Sequence, residues 1–178
     1  MDLLEVLRKR RSVRVYSQEI VSEEIIVTIL QAGLLAASGN SIKPWEFIVI
    51  KNKDMLKSMA RCRKAGAQML AYADCAIVVL GDEEKTDIWI EDCCVAMTNM
   101  HLIADYLGVG SCWIQGRLRN TSIGITTEEY LRGLLKFPEN YRLEAILSLG
   151  MPLTHLDAYE LETLHMEKVH FEIFDGRN

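Results

Sequence analysis

Apolar residues recur along this chain at two spacings, and the switches between them lay out the elements. Leu3, Leu4, Val6 and Leu7 form a stripe at helical spacing that gives way to charge at Arg8. Ser22 has the chemistry of an N-cap. Glu23 and Glu24 fill the first turn after it, and Ile25, Ile26, Ile29 and Leu30 supply a buried face, so a helix is predicted to run to about Ala37. Ser38-Gly39-Asn40-Ser41 breaks it. Two short β-branched runs, Phe47 to Ile50 and Ala76 to Leu80, read as strands, with a short helix from about Asp54 between them.

Residues 87–107 are apolar on nearly all sides, which places that helix at the centre of the fold or at a subunit interface. Gly108 closes it as a left-handed cap, and Ser111 to Ile114 starts a third strand. Thr126 and Glu129 have capping-box spacing for a further helix ending near Phe137-Pro138. Leu143 to Leu149 makes a fourth strand, closed by Gly150-Met151-Pro152. Beyond it the chain lacks clean periodicity until Val169 to Phe174, which alternates like a strand. A tail without a core of its own needs another surface to pack on, such as a partner subunit.

Composition narrows the class. At 178 residues and 49% hydrophobic, the chain suits one domain over 1–178 with a substantial core. No apolar run approaches the roughly 20 residues that span a bilayer. The first residues carry acids where a secretion signal carries bases, and the five cysteines form no C-x-x-C pair. A cytoplasmic protein with no membrane partner, no disulfide framework and no bound metal is the expectation. Five cations against two acids in the first fourteen residues sit on a chain of net charge −5. A nucleic-acid binder is basic more broadly, so this one cationic spot suits a small anionic ligand. The plain alternative is a solvated helix end whose cations complement the dipole.

Familiar catalytic constellations are missing. Gly108-Val109-Gly110 opens like a dinucleotide loop, but Trp113 stands where the third glycine belongs. There is no P-loop, no H-E-x-x-H and no G-x-S-x-G. The four histidines have no metal-ligand spacing and read as surface or packing residues, and Cys93 and Cys94 read as small hydrophobes. What remains is Arg10-Arg11-Ser12-Val13-Arg14, three guanidinium forks and a hydroxyl at a helix-to-loop transition. That set grips a phosphate, and suits a cofactor that brings its own reactivity.

Arg10 to Tyr16 resembles the R-R-S-x-R-x-[FY] opening of the nitroreductase-like flavoproteins. Ala37 to Phe47 is similar to their P-S-A-x-N-x-Q-P-W-x-F segment, Leu107 to Ile114 to L-G-L-G-S-C-W-[IM], Leu149 to Pro152 to the G-x-P after the last core strand, and Lys168 to Glu172 to the K-V-H-x-E tail of one branch. The blocks come in family order. The resemblance implies an α+β fold, a mainly antiparallel four- to five-stranded sheet flanked by helices, in an intertwined homodimer whose C-terminal tail, about 157–178, is exchanged. It implies FMN at the dimer interface. Arg10, Ser12 and Arg14 would hold its phosphate and ribityl end, with Arg11 adding a contact. Ser38, Gly39, Ser41 and Lys43 would reach the flavin of the other subunit, and Ile114, Gln115 and Gly116 would lie against the ring, with an amide of Gln115 or Gly116 at N5. Lys43 stands where the family usually has Gln, and Ser41 where it has Asn.

The activity implied is two-step electron transfer from NAD(P)H through FMN to a small acceptor, a nitroaromatic or quinone, with no catalytic side chain required. Dehalogenating and flavin-fragmenting branches of the same family, and a flavin-binding regulatory dimer without turnover, stay open as alternatives.

Overall fold

A computed structural model describes residues 2–174. Its helices are α1 (Leu3–Lys9), α2 (Glu23–Leu34), α3 (Lys53–Met59), α4 (Trp89–Tyr106) and α5 (Thr127–Leu135). Its strands are β1 (Trp45–Ile50), β2 (Cys75–Asp82), β3 (Gly110–Gln115) and β4 (Tyr141–Gly150). All pairings are antiparallel, in the order β1-β2-β4-β3, so β3 is an edge strand.

The sheet separates two apolar cores, and the central strands alternate between them. Ala76, Val78 and Leu80 face one core with Leu56, Met59, Leu70 and Leu131; Cys75, Ile77 and Val79 face the other with Ile29, Met97 and Met100 of α2 and α4. The alternation slips once. Val79 pairs with Ala145 but Leu80 pairs with Leu143, leaving Glu144 as the extra residue of a β-bulge.

Local signals place the helix ends. Ser22 accepts from the Ile25 amide, and Thr126 and Glu129 close the full reciprocal capping box. Gly108 takes φ +78°, the left-handed geometry that ends α4.

Two expectations are corrected and the place of the central helix is refined. α2 stops at Leu34 rather than near Ala37, because its last turn tightens and the Ala36 amide bonds back to Gly33 O. The central helix is two-sided: Cys93, Ala96, Met97, Met100 and Ala104 are buried, while Glu91, Val95, Thr98 and Tyr106 line an outward stripe. Val169 to Phe174 is not a strand; after short 3₁₀ turns at Leu161–Thr163 and Met166–Lys168 the tail runs as bends, with no sheet edge of its own chain beside it to supply ladder partners. Its side chains are open, Phe171 being 85% and Phe174 81% exposed. The end of the alternating run and the tail therefore lie largely uncovered up to residue 174, and 175–178 fall outside the described residues. Among the described residues no helix is long and apolar enough to cross a membrane.

Candidate functional site

The arginine segment lies along the outer edge of β3. Ser12 bridges Ser111 in parallel, and the Val13 amide donates to Ser111 O at 2.9 Å. Two facing glycines allow this approach: a Cβ on Gly110 would meet Val13 at 2.8 Å, and one on Gly150 would meet Tyr16 at 2.7 Å. Tyr16 anchors the segment from below, its buried hydroxyl bonded to Ser148 Oγ at 2.7 Å and to Val13 O at 3.0 Å.

The cations here have separate fates. Arg8 is neutralised by Glu5 at 2.9 Å and Glu160 at 3.6 Å, and Lys9 by Glu5 at 3.2 Å. Arg11 is turned away: its guanidinium stacks on Tyr159 and bonds Asp157 O in the tail, while its amide donates to Asp105 Oδ1. Among the described residues Arg14 hydrogen-bonds only to Ser12 O, at 3.4 Å, and it lines a cavity of about 380 Å³ with Tyr16, Gln68 and Met69. Arg10 Nη1 donates to His101 Nε2 at 3.0 Å.

His101 is a site residue that the sequence reading passed over. Since arginine only donates, His101 Nε2 must accept, so Nδ1 carries the proton and donates to Ser111 Oγ at 2.6 Å. The ring is neutral. Burial, then the Arg10 charge, push its pKa down to about 4. Arg10 is thus held by a neutral partner and keeps its positive charge available. The pair lies 91 positions apart in sequence, and only the packing of α4 beside the arginine segment brings them together.

The other end of β3 is built around the Glu144 bulge. The Gly116 and Arg117 amides donate to Glu144 O at 3.1 and 2.9 Å. Gln115 Nε2 donates to Glu144 Oε1 at 3.0 Å, and Gln115 Oε1 accepts from Trp113 Nε1 at 2.9 Å. Ser111 faces the arginine segment and Gly116 faces β4, so by strand alternation the backbone of Trp113 and Gln115 points outward. Among the described residues no backbone group pairs with that outward edge at Gln115. The available donor is therefore the Gln115 amide, while that of Gly116 is committed to Glu144. The Ile114 side chain is fully buried in the core with Leu131 and Leu143, so it is not itself open at this edge. Glu144 is itself 3% exposed, with Oε2 unpartnered.

Ser38, Gly39, Ser41 and Lys43 occupy the loop before β1. Asn40, Ser41 and Lys43 take φ of 50°, 57° and 52°, three left-handed residues without glycine, interrupted by the right-handed Ile42. Hydrogen bonds hold it: the Lys43 amide donates to Ser38 Oγ at 3.0 Å, and the Gly39 amide to Asp92 Oδ1 of α4 at 2.9 Å. Asp92 and His101 are nine residues apart on α4, roughly 14 Å along the axis. One chain thus presents the loop and the arginines at separate places.

The thiols stay protonated. Burial pushes Cys62 and Cys75 up to about 12, and Cys94, beside Glu144, up to about 11.

A model of the nitroreductase family matches residues 7–151. The chain belongs to the nitroreductase family. It is 38% identical over 176 residues to an Archaeoglobus fulgidus protein provisionally named an NADH dehydrogenase/NAD(P)H nitroreductase, covering 96% of this chain and 98% of that one. Its structure is similar to that of an FMN-dependent nitroreductase from Clostridium difficile R20291, with TM-score 0.93 and 42% identity over 96% of this chain and 99% of that one. It is also similar to a provisionally named nitroreductase from Desulfovibrio desulfuricans in complex with FMN, with TM-score 0.80 and 26% identity over 98% of both chains. The antiparallel four-stranded sheet with its helices is the nitroreductase fold.

Proposed function

We propose that this nitroreductase-family chain binds FMN and, as a homodimer, moves electrons from NAD(P)H to a small organic acceptor of the nitroaromatic or quinone type. The observation that carries the reading is the open edge of β3. Arginines without carboxylate partners stand at its start, and a free backbone donor stands at Gln115, four residues or roughly 13 Å along. A phosphate at one end and a polar ring at the other suit that edge. The FMN named for the Clostridium and Desulfovibrio relatives supports the same cofactor here.

FMN held there would supply the redox chemistry, hydride acceptance and electron release. The chain binds and orients. Arg10 and Arg14 hold the phosphate, and the Ser12 hydroxyl adds a short bond. The Gln115 amide donates to the ring edge, between Ile114 and Gly116. Arg11 serves mainly to lock the tail, through Tyr159 and Asp157. Ser38, Gly39, Ser41 and Lys43 of a second copy roof the site, excluding water and bringing the Lys43 cation toward charge that collects on a reduced ring.

The exposed apolar surface supports the dimer. Leu3, Leu4 and Leu7 of α1, Val95 and Tyr106 of α4, and Leu161, Met166 and Phe171 of the tail are all open in one chain. An interface that united them with the rest of the α4 face and an exchanged tail would exceed roughly 2,000 Å², the obligate range.

Flavin released by heat should chromatograph as FMN, its absorbance should bleach anaerobically with NAD(P)H, and it should recover on adding a quinone. Predominant FAD, no flavin after FMN is added, or no bleaching would defeat the reading. Removing residues from Asp157 onward should abolish both dimer and FMN binding. A species near the chain mass of 20.3 kDa in sedimentation equilibrium that keeps stoichiometric FMN would refute the shared site.

A further inference from the structure

Cations beyond the phosphate arginines gather at the far end of β3. Residues 55–73 contain no acid and carry Lys57, Arg61, Arg63 and Lys64; residues 106–127 contain none and carry Arg117 and Arg119. The fold stitches the two stretches together, the Lys64 amide donating to Asn120 O at 2.9 Å. Between them lies a cavity of about 450 Å³, with Arg63, Lys64 and Ala65 on one side and Leu118 to Thr121 on the other. It shares Leu118 and Arg119 with a cavity of about 370 Å³ that continues to Arg117 and Gly116, the residue after the proposed ring-edge donor.

The cations of this end fall into two sets. Arg132 and Arg142 are bound by Glu128 at 2.9 Å each, and Arg142 also by Glu83 at 3.0 Å. Those two acids line the smaller cavity and are occupied. Arg63, Lys64, Arg117 and Arg119 form no ion pair among the described residues; Arg119 Nη1 reaches only Leu118 O, at 3.1 Å. Leu118, between the two arginines, sits at φ +56° and is largely exposed. On a chain of net charge −5, three unpaired cations around one cavity, with Arg117 in the cavity that adjoins it, favour an anion there.

We propose that this cavity binds the phosphates of the dinucleotide donor, with Arg63, Lys64 and Arg119 on the pyrophosphate while the nicotinamide reaches the ring beside Gln115. The proposal rests on the FMN and NAD(P)H reading above. It follows from charge: the FMN phosphate is taken by Arg10, Ser12 and Arg14, and a nitroaromatic or quinone acceptor carries no phosphate. The reactant that needs a second phosphate site is the donor, and the site begins where its nicotinamide must end. The cavity thus separates the two half-reactions by charge, steering the donor and leaving the acceptor unaffected.

The test is the double variant Arg63→Gln/Arg119→Gln, assayed as FMN-loaded protein with matched thermal melts. Three donors are compared anaerobically: NADPH, NADH and the uncharged 1-benzyl-1,4-dihydronicotinamide. The second-order rate of flavin reduction should fall about tenfold or more for both dinucleotides. It should stay within about twofold for the uncharged donor, as should reoxidation by menadione. Added salt should slow the wild-type dinucleotide reaction and leave the variant nearly flat. An equal fall with all three donors overturns the proposal, because the cations would then act on the flavin or on folding. No fall with any donor overturns it as well, leaving a solvated patch. A wild-type flavin reduced by the uncharged donor and by neither dinucleotide defeats the donor reading while FMN binding stands, and a chain that takes up no FMN defeats both.

Discussion

The two ends of β3 solve opposite electrostatic problems with the same economy of parts. At its start Arg10 is held by a neutral histidine, so its orientation is fixed and its charge is kept. At its end Gln115 is held by a buried glutamate, so its side-chain donor is occupied and only the backbone amide faces out. A carboxylate at position 101 would have cancelled the charge a phosphate needs. An apolar residue at 144 would have left the Gln115 side-chain amide with only its longer bond to the backbone carbonyl, and so looser to compete for a ligand. The difference shows that the partner of a binding residue decides what that residue can still offer.

The largest break in this comparison is acid. His101 is neutral when folded, with its pKa depressed to about 4 from the ordinary 6.5. Its contribution is therefore fully present above about pH 6.5 and is lost as pH falls toward 4, since the unfolded chain takes up the proton first. The window corresponds to roughly 3 kcal/mol of folding stability. Asp105, the nearest acid on α4, opposes the shift, and Arg10 reinforces it. His101→Gln should flatten the pH dependence of thermal stability between pH 4 and 6.5. An unchanged slope would mean that carboxylates elsewhere carry it.

Much of this end was legible beforehand and its decisive partner was not. Arg10, Ser12 and Arg14 announce a phosphate site by residue type within five positions, and the capping signals at Ser22 and Thr126 act over three or four residues. His101 gives no such signal. It sits in a helix read as apolar, and its role exists only because α4 packs beside a segment 91 positions away. Glu144 is hidden for a related reason: inside the run Leu143 to Leu149 it breaks the alternation, and a single sequence does not say that the break is a bulge. The tail misled in the other direction, because alternation at Val169 to Phe174 promises a strand only where an edge exists to pair with it.

Arg10→Ala and Arg14→Ala should each weaken FMN binding by about 1.5–3 kcal/mol, read by titration of the apoprotein. Arg8→Ala should change it far less, since Arg8 is already neutralised by Glu5 and Glu160. Arg11→Ala should spare FMN affinity relative to Arg10→Ala but loosen the dimer, because its fork is committed to Tyr159 and Asp157. Equal losses for all four would mean that the segment acts as a diffuse field and that its partners do not matter.

The ring end should be less sensitive. Glu144→Ala removes the carboxylate acceptor of Gln115 Nε2, which keeps its longer bond to the Glu144 carbonyl, and that of the Cys94 thiol, but also removes an oxygen that has no partner. A net loss of about 1–2 kcal/mol in folding stability is expected from chemical denaturation. The carbonyl that holds Gly116 and Arg117 survives the substitution, so FMN affinity should fall by less than stability does.

The finest distinction lies within Gln115 itself, between its side chain and its amide. Gln115→Ala keeps the outward N–H and should shift FMN affinity by only a few tenths of a kcal/mol. Gln115→Pro deletes that N–H while leaving the ladder intact, because this amide is the one that points away from β4. Proline is tolerated on an edge strand when the missing donor faces outward, and the extended Ile114 before it suits the restriction proline imposes. The proline variant should therefore melt near the wild-type temperature yet bind FMN about 1 kcal/mol more weakly, the net worth of one neutral hydrogen bond. Equal weakening by alanine and proline would hand the contact to the Gln115 side chain, and would mean that Glu144 gives up its bond when the cofactor arrives.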